Sequence, residues 1–521
     1  MKKRSNIKIY QLVVLIGLVL TMTSCGDKFF DEQAGSRITP DQHYKSMTDA
    51  NVSLEGAVMP LQNVLPKSII LDGLRSDQMS VTPSADVFLQ DINNQILSID
   101  NPYLDASDYY KVIVNVNEVL LNIDKVTALD RNFDVNMAHY YKSALIGLRS
   151  WTYLNLLKLY GKAAWIDGNL ASLPANLTQN IMTKDVLIDT LINQTLPYIF
   201  DPNVDKHVEE QLSVHYPNSK AVLGELYLEK GDFVNAAKYI KMGIESYANT
   251  PNQYKVDKTY TKDSWKNIFI SAENGQSENV AVMPYNQNQG LAQFNPLPKW
   301  MMPYDMFMVK PTQMLIDSFN TQMAITKHPG DIYRGMKVSI DTTSAGVPFI
   351  NKYALDKAEP FSTDIIMSRA ADLHLELAEA LNRSGDSKTA LIILNAGFSS
   401  EKTKPAAYYK WNNNLGIRGR ALLAPKLVPD SIKVINGNDT TKVVLAGDDR
   451  INYIEDLIIQ ERSLELAFEG KRWFDLVRIA TRRNDPSYLA NKVAEKFAGT
   501  ADYDAIRSKL MDPANWYLPF K

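Results

Sequence analysis

The chain has 521 residues, of which 45% are hydrophobic and 22% are charged, and its formal net charge is −3. This is the composition of an ordinary globular protein, with enough apolar residues for a large core or several domains. The slightly negative charge argues against a nucleic-acid-binding protein, which would carry a basic excess. Aromatic residues make up 10% of the chain, which leaves some of them for a binding surface as well as the core.

The N-terminus has the pattern of a secretion signal. A positively charged start, KKR, precedes an uninterrupted apolar run from Leu12 to Leu20 that is too short to span a bilayer. Cys25, the only cysteine of the protein, follows this run closely. A cysteine at this place indicates a lipoprotein cleavage site, so we predict a signal peptide over 1–24, an acylated Cys25 and a tether over 25–38. The alternative is an ordinary signal peptide with an incidental cysteine.

Helical patterns dominate the sequence that follows. A Thr-Pro start with a Gln shortly after it predicts a helix over 39–66. Two long apolar-periodic segments predict helices over 107–126 and 135–160, and Gly161 is placed to end the second. The intervening residues 71–84 show no helical pattern and are expected to be irregular.

A helical repeat occurs at two places with tetratricopeptide spacing. The first copy consists of Leu223, Gly224, Tyr227, Gly231, Ala236, Ile240 and Gly243. The same offsets give the second copy, Leu377, Ala378, Leu381, Gly385, Ala390, Leu394 and Gly397. In such repeats small residues let paired helices approach, and large residues fill the groove between them. We interpret segments 137–161 and 454–480 as degenerate copies, and predict a mainly α fold with a tetratricopeptide-like helical scaffold.

Long segments rich in helix-breaking residues separate the copies, chiefly about 250–350 and 403–450, where we expect long loops and short β-strands packed on the scaffold. Aromatic residues on such loops are less easily explained as core than aromatic residues on helices. Sugars offer flat apolar faces to aromatic rings and hydroxyls to Asn, Asp and Arg. The candidate ligand-binding residues are Arg75, Asp77, Asn94, Tyr103, Tyr285, Asn286, Trp300, Tyr304 and Trp411.

Trp300 is the strongest of these candidates. The segment Asn295-Pro296-Leu297-Pro298 before it disfavours a regular helix or a central strand, so we expect Trp300 on an exposed loop, stacked on a sugar ring. A second platform would come from one of three tyrosines, Tyr103, Tyr285 or Tyr304. The competing interpretation is that Trp300 fixes this loop onto the helical core together with Met301 and Met302.

The stretch 453–483, YIEDLIIQERSLELAFEGKRWFDLVRIATRR, predicts two helices joined at Gly470. Glu461 falls within its apolar stripe and Glu465 lies at the edge of that stripe. Since a lone buried charge is too costly, each must be paired or neutral. We predict that Glu461 is buried against an arginine, with local candidates Arg462, Arg472 and Arg478. The alternative is a catalytic carboxylate pair.

Sequence patterns of catalysis and metal binding are missing. The six histidines are scattered without an HExxH motif, and the sequence has no Gly-x-Ser-x-Gly elbow and no phosphate-binding loop. We therefore expect no catalytic residue, no cofactor and no metal site, and we expect a binding protein rather than an enzyme.

The run ERSLELAFEGKRWFDLVR resembles the C-terminal signature of the SusD/RagB family of nutrient-binding outer-membrane lipoproteins. Further similarity lies in LRSD (Leu74 to Asp77), GDIYRG, the C-terminal NWYLPF and the spacing of Tyr110, Ile113 and Asn117. The resemblance extends over about 26–521 and implies a SusD-like N-terminal helical region over 39–250. A C-terminal region with binding loops and repeat helices would then occupy 251–521. It also suggests that Arg418 and Arg420 form a displaced version of a family arginine element.

The resemblance implies a surface-exposed, lipid-anchored protein of the outer membrane. Such a protein binds oligosaccharides and delivers them to a SusC-like TonB-dependent transporter, on a face built from loops in the regions 75–105 and 280–305. Peptide capture within the same family remains an alternative. Two further alternatives are a tetratricopeptide assembly scaffold at the outer membrane and a lipoprotein hydrolase.

Overall fold

A computed structural model describes residues 43–168, 180–199, 216–245, 254–270, 278–288, 294–354, 358–398, 405–408, 411, 413–436 and 439–520. The predicted signal peptide, Cys25 and the tether lie outside these residues. The helices are α1 (Met47–Val58), α2 (Leu61–Arg75), α3 (Val87–Asn93), α4 (Ser107–Leu129), α5 (Val135–Tyr160), α6 (Lys184–Thr195), α7 (Ser219–Lys230), α8 (Phe233–Ile244), α9 (Lys262–Ile270), α10 (Leu297–Met301), α11 (Gln313–Asn320), α12 (Ala370–Arg383), α13 (Ser387–Leu394), α14 (Ile417–Arg420), α15 (Gly447–Glu465), α16 (Arg472–Arg483), α17 (Pro486–Ala494) and α18 (Tyr503–Leu510). Within the described ranges, no helix has the length and apolar character needed to cross a membrane.

The strands are short and pair antiparallel. They are β1 (Met79–Val81), β2 (Lys162–Ala164), β3 (Ile181–Thr183), β4 (Asn279–Met283), β5 (Val309–Pro311), β6 (Ile340–Thr342), β7 (Pro348–Ile350), β8 (Ile365–Arg369), β9 (Ser431–Asn436) and β10 (Asp439–Val444). Each sheet has two strands, with β1 on β5, β2 on β3, β4 on β8, β6 on β7 and β9 on β10. The predicted combination of a helical scaffold with short strands is confirmed.

The first predicted helix is divided in two. Helix α1 begins after Ser46, whose side chain forms a capping box with Asp49, and the chain turns at Met59 and Pro60 before α2. Helix α2 then continues to Arg75, so the expectation that 71–84 is irregular is wrong for its first residues. The two long helices are confirmed as α4 and α5, and Gly161 ends α5 in the left-handed conformation at φ 71°.

Both predicted repeats are helical hairpins, formed by α7 with α8 and by α12 with α13. Gly224 and Gly243 permit the close approach within the first hairpin. A Cβ atom added to Gly224 would lie 2.5 Å from Cγ1 of Ile240, and one added to Gly243 would lie 2.9 Å from Cβ of Ala221. Helix α8 also packs on α12, so the two hairpins stack directly on each other and bury a shared core.

The two degenerate copies have different outcomes. Residues 454–480 form the hairpin of α15 and α16, joined through Gly470 at φ 73°. The segment 137–161 forms one continuous helix, α5, which packs on α4, α6 and α7 rather than folding into a hairpin itself. Because α15 packs on α12 and α16 packs on α2, the C-terminal hairpin joins the start of the chain to the repeats.

The carboxylates of α15 lie in a buried ion-pair network. Glu461 is 1% exposed, with Oε1 2.8 Å from Arg334 and Oε2 accepting a hydrogen bond from Arg418. Glu465 is fully buried and contacts Arg334 at 2.5 Å, Arg369 at 2.9 Å and Arg420 at 2.7 Å. Burial alone would raise the pKa of Glu461, but the neighbouring Arg334 and Arg418 hold it below its ordinary value.

The predicted burial and arginine pairing of Glu461 are confirmed, but its predicted local partners are wrong. Successive residues on a helix point in different directions, so Arg462 faces Asp475 at 2.8 Å instead. Arg472 pairs with Asp77 at 2.6 Å, and Arg478 pairs with Glu379 at 2.8 Å. The arginines that reach Glu461 and Glu465 come from distant parts of the chain: Arg334 from a loop, Arg369 from β8, and Arg418 and Arg420 from the short helix α14.

Candidate ligand-binding face

The pairing of β1 with β5 brings together two loops that are far apart in sequence. Met79 lies opposite Pro311 and Val81 opposite Val309, and just beyond this pair the Thr82 N–H donates to the carbonyl of Met308 at 2.9 Å. The segment after β1 therefore runs beside the segment before β5. The first segment lies in the region 75–105 and the second continues from the region 280–305, and the resemblance places the ligand face in these two regions.

Tyr103 and Trp300 meet where these two loops adjoin. Their rings form an edge-to-face pair with centroids 6.2 Å apart and an interplanar angle of 73°. Tyr103 lies in a 3₁₀ turn, Pro102–Leu104, and its N–H donates to the side chain of Asn101 at 3.0 Å, which caps the turn. Its hydroxyl donates to Oδ2 of Asp86 at 2.8 Å. Burial and this carboxylate raise the pKa of Tyr103, so the phenol stays protonated.

Sequence reasoning missed Asp86, which has a positioning role. One carboxylate oxygen caps α3 by accepting from the Leu89 N–H at 2.9 Å, and the other accepts from Tyr103. A single Asp before an apolar run indicates a helix cap. Nothing in that pattern indicates the hydrogen bond from Tyr103, which forms because the chain comes back to Asp86 17 residues later.

Trp300 lies on the short helix α10 and not on a loop, so the expected backbone is corrected. Pro298 is within the first turn, where a backbone N–H would have no hydrogen-bond acceptor inside the helix, so proline is tolerated there. The Trp300 ring is half-buried, whereas Met301 and Met302 are buried in the core at 0% and 5% exposure. The two methionines thus anchor this segment, and part of Trp300 remains accessible. Tyr304, four residues later, is 65% exposed.

Arg75 and Asp77 do not present their charges at an open surface, which contradicts their assignment to the ligand face. Arg75 is 1% exposed, donates to the carbonyl of Trp516 at 2.9 Å and stacks 3.9 Å from the ring centroid of Trp473. Asp77 accepts from Arg472 at 2.8 and 2.6 Å, and this partner lowers its pKa against the opposing effect of burial. Both residues join the α2 region to the C-terminal segments.

Tyr285 and Trp411 are also buried, and their expected places on the ligand face are wrong. Tyr285 is 4% exposed, and its hydroxyl donates to the carbonyl of Gln62 at 2.8 Å. Trp411 is fully buried, donates from Nε1 to Glu245 at 2.8 Å and packs edge-on against Tyr408. Both lie in segments that sequence composition marks as loops, but these segments fold back onto the helices with their aromatic rings inward.

Asn94 and Asn286 are half-buried and shape local backbone. Asn94 is the C-cap of α3, and its Oδ1 accepts from Nδ2 of Asn93 at 3.0 Å. Asn286 Oδ1 accepts from the Asn288 N–H at 2.8 Å, and Asn288 in turn donates to Glu359 at 2.7 Å. Their partly accessible amides remain candidates for hydrogen bonds to a ligand.

In the part of the chain that the structure describes, no group of three or more His, Cys, Asp and Glu side chains is placed to hold a metal ion. His374 is fully buried, and burial lowers its pKa to about 4. Its ring nitrogens are occupied by the Ala370 carbonyl at 2.6 Å and by Asn414 at 3.0 Å. What the loop-built face offers is aromatic stacking and hydrogen bonding.

The described residues thus form a mainly α protein with a tetratricopeptide-like helical scaffold and partly exposed aromatic rings where two loops adjoin. The sequence profile of the SusD family matches residues 339–521. "SusD-like protein P38" from Formosa agariphila is 23% identical over 527 residues and covers 92% of both chains.

Solved structures have the same fold. A crystal structure of a SusD superfamily protein from Bacteroides vulgatus aligns with a TM-score of 0.63 at 16% identity, covering 90% of this chain and 93% of that one. A laminarin-binding SusD-like protein aligns with a TM-score of 0.56 at 17% identity, covering 88% and 96%. Residues 339–521 thus match the SusD family profile, and the described fold is that of SusD superfamily structures, as the resemblance implied.

Proposed function

We propose that this protein binds an oligosaccharide on the face formed by Tyr103, Trp300 and Tyr304. It would do so as a lipid-anchored protein on the outer surface of the outer membrane and deliver the ligand to a SusC-like TonB-dependent transporter. The observation that carries the proposal is the Tyr103–Trp300 pair, which is partly open, and the exposed Tyr304 follows Trp300 by four residues in the chain. The match of residues 339–521 to the SusD family and the similarity to a laminarin-binding structure support carbohydrate as the ligand class.

The face is suited to binding because its rings are held before a ligand arrives. Two hydrogen bonds hold the backbone of Trp300. Its carbonyl accepts from the Met308 N–H at 2.7 Å, and its N–H donates to the Pro296 carbonyl at 3.2 Å. Tyr103 is held by Asp86. Rings that are ordered in the free protein lose little freedom on binding, so more of the stacking energy contributes to affinity.

The first test is the replacement of Trp300 by alanine, measured by calorimetric titration against a glycan panel. Removing a stacking platform should weaken binding by about 1–3 kcal/mol, by analogy with base–aromatic stacking. The melting temperature should change little, because Met301 and Met302 remain in the core. Trp300→Phe is the matched control, since it keeps an aromatic face and should lose less affinity.

The same measurements distinguish the competing structural role of Trp300. If the residue mainly fixes α10 to the core, truncation should cost roughly 3–5 kcal/mol of stability. A large fall in melting temperature with unaltered affinity in the remaining folded protein would remove Trp300 from the site.

The alternative functions differ in what the protein binds and in whether it cleaves what it binds. On an affinity gel that contains glycan, a binding protein is retarded and releases no product, whereas a hydrolase cleaves the polymer. Retention on immobilised peptides, without retardation by any glycan, would favour the peptide-capturing alternative.

Co-purification of a large β-barrel transporter from outer-membrane extracts would support delivery of the ligand to that transporter. Capture of periplasmic assembly proteins without either ligand would favour a scaffold.

The lipid anchor has a separate test. Cys25 follows an apolar signal segment and is the only cysteine in the chain, so the Cys25→Ala variant should lose its acyl chains and leave the membrane fraction. Acyl chains anchor by burying many methylene groups, and their loss should release nearly all of the protein. Cell fractionation with immunoblotting measures this, with Ser24→Ala as the neighbouring control. Unchanged membrane association of Cys25→Ala would overturn the anchor.

A further inference from the structure

A groove of about 870 Å³ lies at the N-terminal end of α4. Its walls come from the segment 99–107, from the joint between α1 and α2 at Pro60 and from the C-terminal Pro519 and Phe520. Its volume falls within the range of small-ligand pockets. None of the nine ligand-binding residues expected from the sequence lines it, so the groove is separate from the Tyr103–Trp300 face.

Aromatic rings form one side of the groove. Phe520 makes edge-to-face contacts with Tyr110 at 6.5 Å and with Tyr160 at 5.8 Å between ring centroids. Both tyrosines are fixed by their hydroxyls, since Tyr110 accepts from the Ala164 N–H at 2.9 Å and Tyr160 donates to the Leu104 carbonyl at 2.7 Å. The rings are thus ordered without a ligand and offer apolar surface to one.

Several polar groups at the rim already have partners within the protein. The carboxylate of Asp105 accepts from the N–H and hydroxyl of Ser107 at 3.0 and 2.7 Å. The Lys111 ammonium pairs with Asp108 at 2.7 Å. A rim of carboxylate, hydroxyl and amide groups beside an aromatic wall matches the hydroxyls and apolar faces of a neutral sugar better than it matches an ion.

The groove adjoins the aromatic face through a small cleft. Asp105 and Tyr160 line the groove and also a small cleft between α2 and α4, of which Tyr103 is a lining residue. Tyr103 in turn contacts Trp300. The 3₁₀ turn Pro102–Leu104 therefore separates two adjoining surfaces, with Pro102 and Leu104 toward the groove and Tyr103 toward Trp300.

We propose that this groove is a second saccharide subsite, which holds the distal units of an oligosaccharide whose other end stacks on the Tyr103–Trp300 face. The inference rests on the proposed function and adds that the protein selects oligosaccharides by their length. A short oligosaccharide fills only the aromatic face, whereas a longer one crosses the turn at Pro102–Leu104 and also occupies the groove.

The test compares short and long members of the same glycan series by calorimetric titration, with laminaritriose and laminariheptaose, maltotriose and maltoheptaose as probes. Ile99 lines the groove and is 46% exposed, so Ile99→Arg obstructs the groove without burying a charge. Ile96 lies three residues earlier at 49% exposure and does not line the groove, which makes Ile96→Arg the matched control. Phe520→Ala removes the aromatic wall as an independent second variant.

The wild-type protein should bind the heptasaccharide of one series about tenfold more tightly than its trisaccharide, a difference of about one stacked unit. Ile99→Arg and Phe520→Ala should abolish that advantage and leave trisaccharide affinity unchanged, whereas Ile96→Arg should behave as wild type. Trp300→Ala should weaken both lengths. A heptasaccharide advantage that survives both groove variants would overturn the subsite alone. If the wild-type protein bound neither length of either series, both the subsite and the proposed function would fail for these glycans.

Discussion

Replacing Glu461 with alanine is expected to destabilise the protein by roughly 3–5 kcal/mol, the cost of breaking a buried ion pair from one side. The loss leaves Arg418 and Arg334 buried at 2% and 0% exposure with fewer acceptors for their charges. The remaining partners cannot move freely to replace it, because Asp331 and Glu465 already bond Arg334. Urea unfolding or thermal melting of the purified variant measures the effect.

Asp456 provides the matched control on the same helix. Its side chain is 47% exposed and pairs with Arg483 at 2.9 Å near the surface. Exposed pairs contribute little, so Asp456→Ala should cost about 1 kcal/mol or less. Glycan affinity of folded Glu461→Ala should equal that of the wild type, because Glu461 serves the core. A variant with unchanged melting that no longer binds glycan would instead assign Glu461 to the ligand site.

Introducing leucine at Gly224 should destabilise the protein by roughly 3 kcal/mol, because the position has no room for any side chain. A Cβ atom there would lie 2.5 Å from Cγ1 of Ile240 and 2.6 Å from its backbone nitrogen. A backbone atom cannot move aside as a side chain can, so α7 and α8 must separate. This separation would outweigh the helix-propensity gain of about 1 kcal/mol from replacing glycine.

Gly56 is the corresponding control in α1. It has the same helical setting, but an added Cβ would meet no atom within 4 Å. Gly56→Leu should therefore be neutral or slightly stabilising in the same thermal melts. Equal melting temperatures for the Gly224 and Gly56 variants would mean that close approach in the first repeat hairpin does not depend on the glycine.

Predictions of helices from the sequence depended on local signals and were largely correct. The boundaries of α4 and α5 followed from apolar periodicity and Gly161, and the two repeat hairpins followed from small and large residues at fixed offsets. These signals act between residues three to seven positions apart, so they are present in any short window of sequence. The segment 137–161 shows their limit, since the same residue types also fit one continuous helix.

Which side chains face a ligand could not be decided in that way. Trp300 and Trp411 both lie in segments with helix-breaking residues, yet one ring is partly open and the other is fully buried. The β1–β5 pairing, formed between segments more than 200 residues apart, is what places Tyr103 beside Trp300. Sequence composition identified the types of residue that bind sugars, but it could not show which of them the fold turns inward.

The sequence by itself predicted that Glu461 is buried with a positive partner, because a lone charge within an apolar stripe is too costly. Only the tertiary structure decided that the partners are Arg334 and Arg418, which lie 127 and 43 residues away in the numbering of the chain. Burial is encoded by the period of a helix and is therefore local. The choice of partner depends on which distant loops pack against that helix, and no local pattern specifies this.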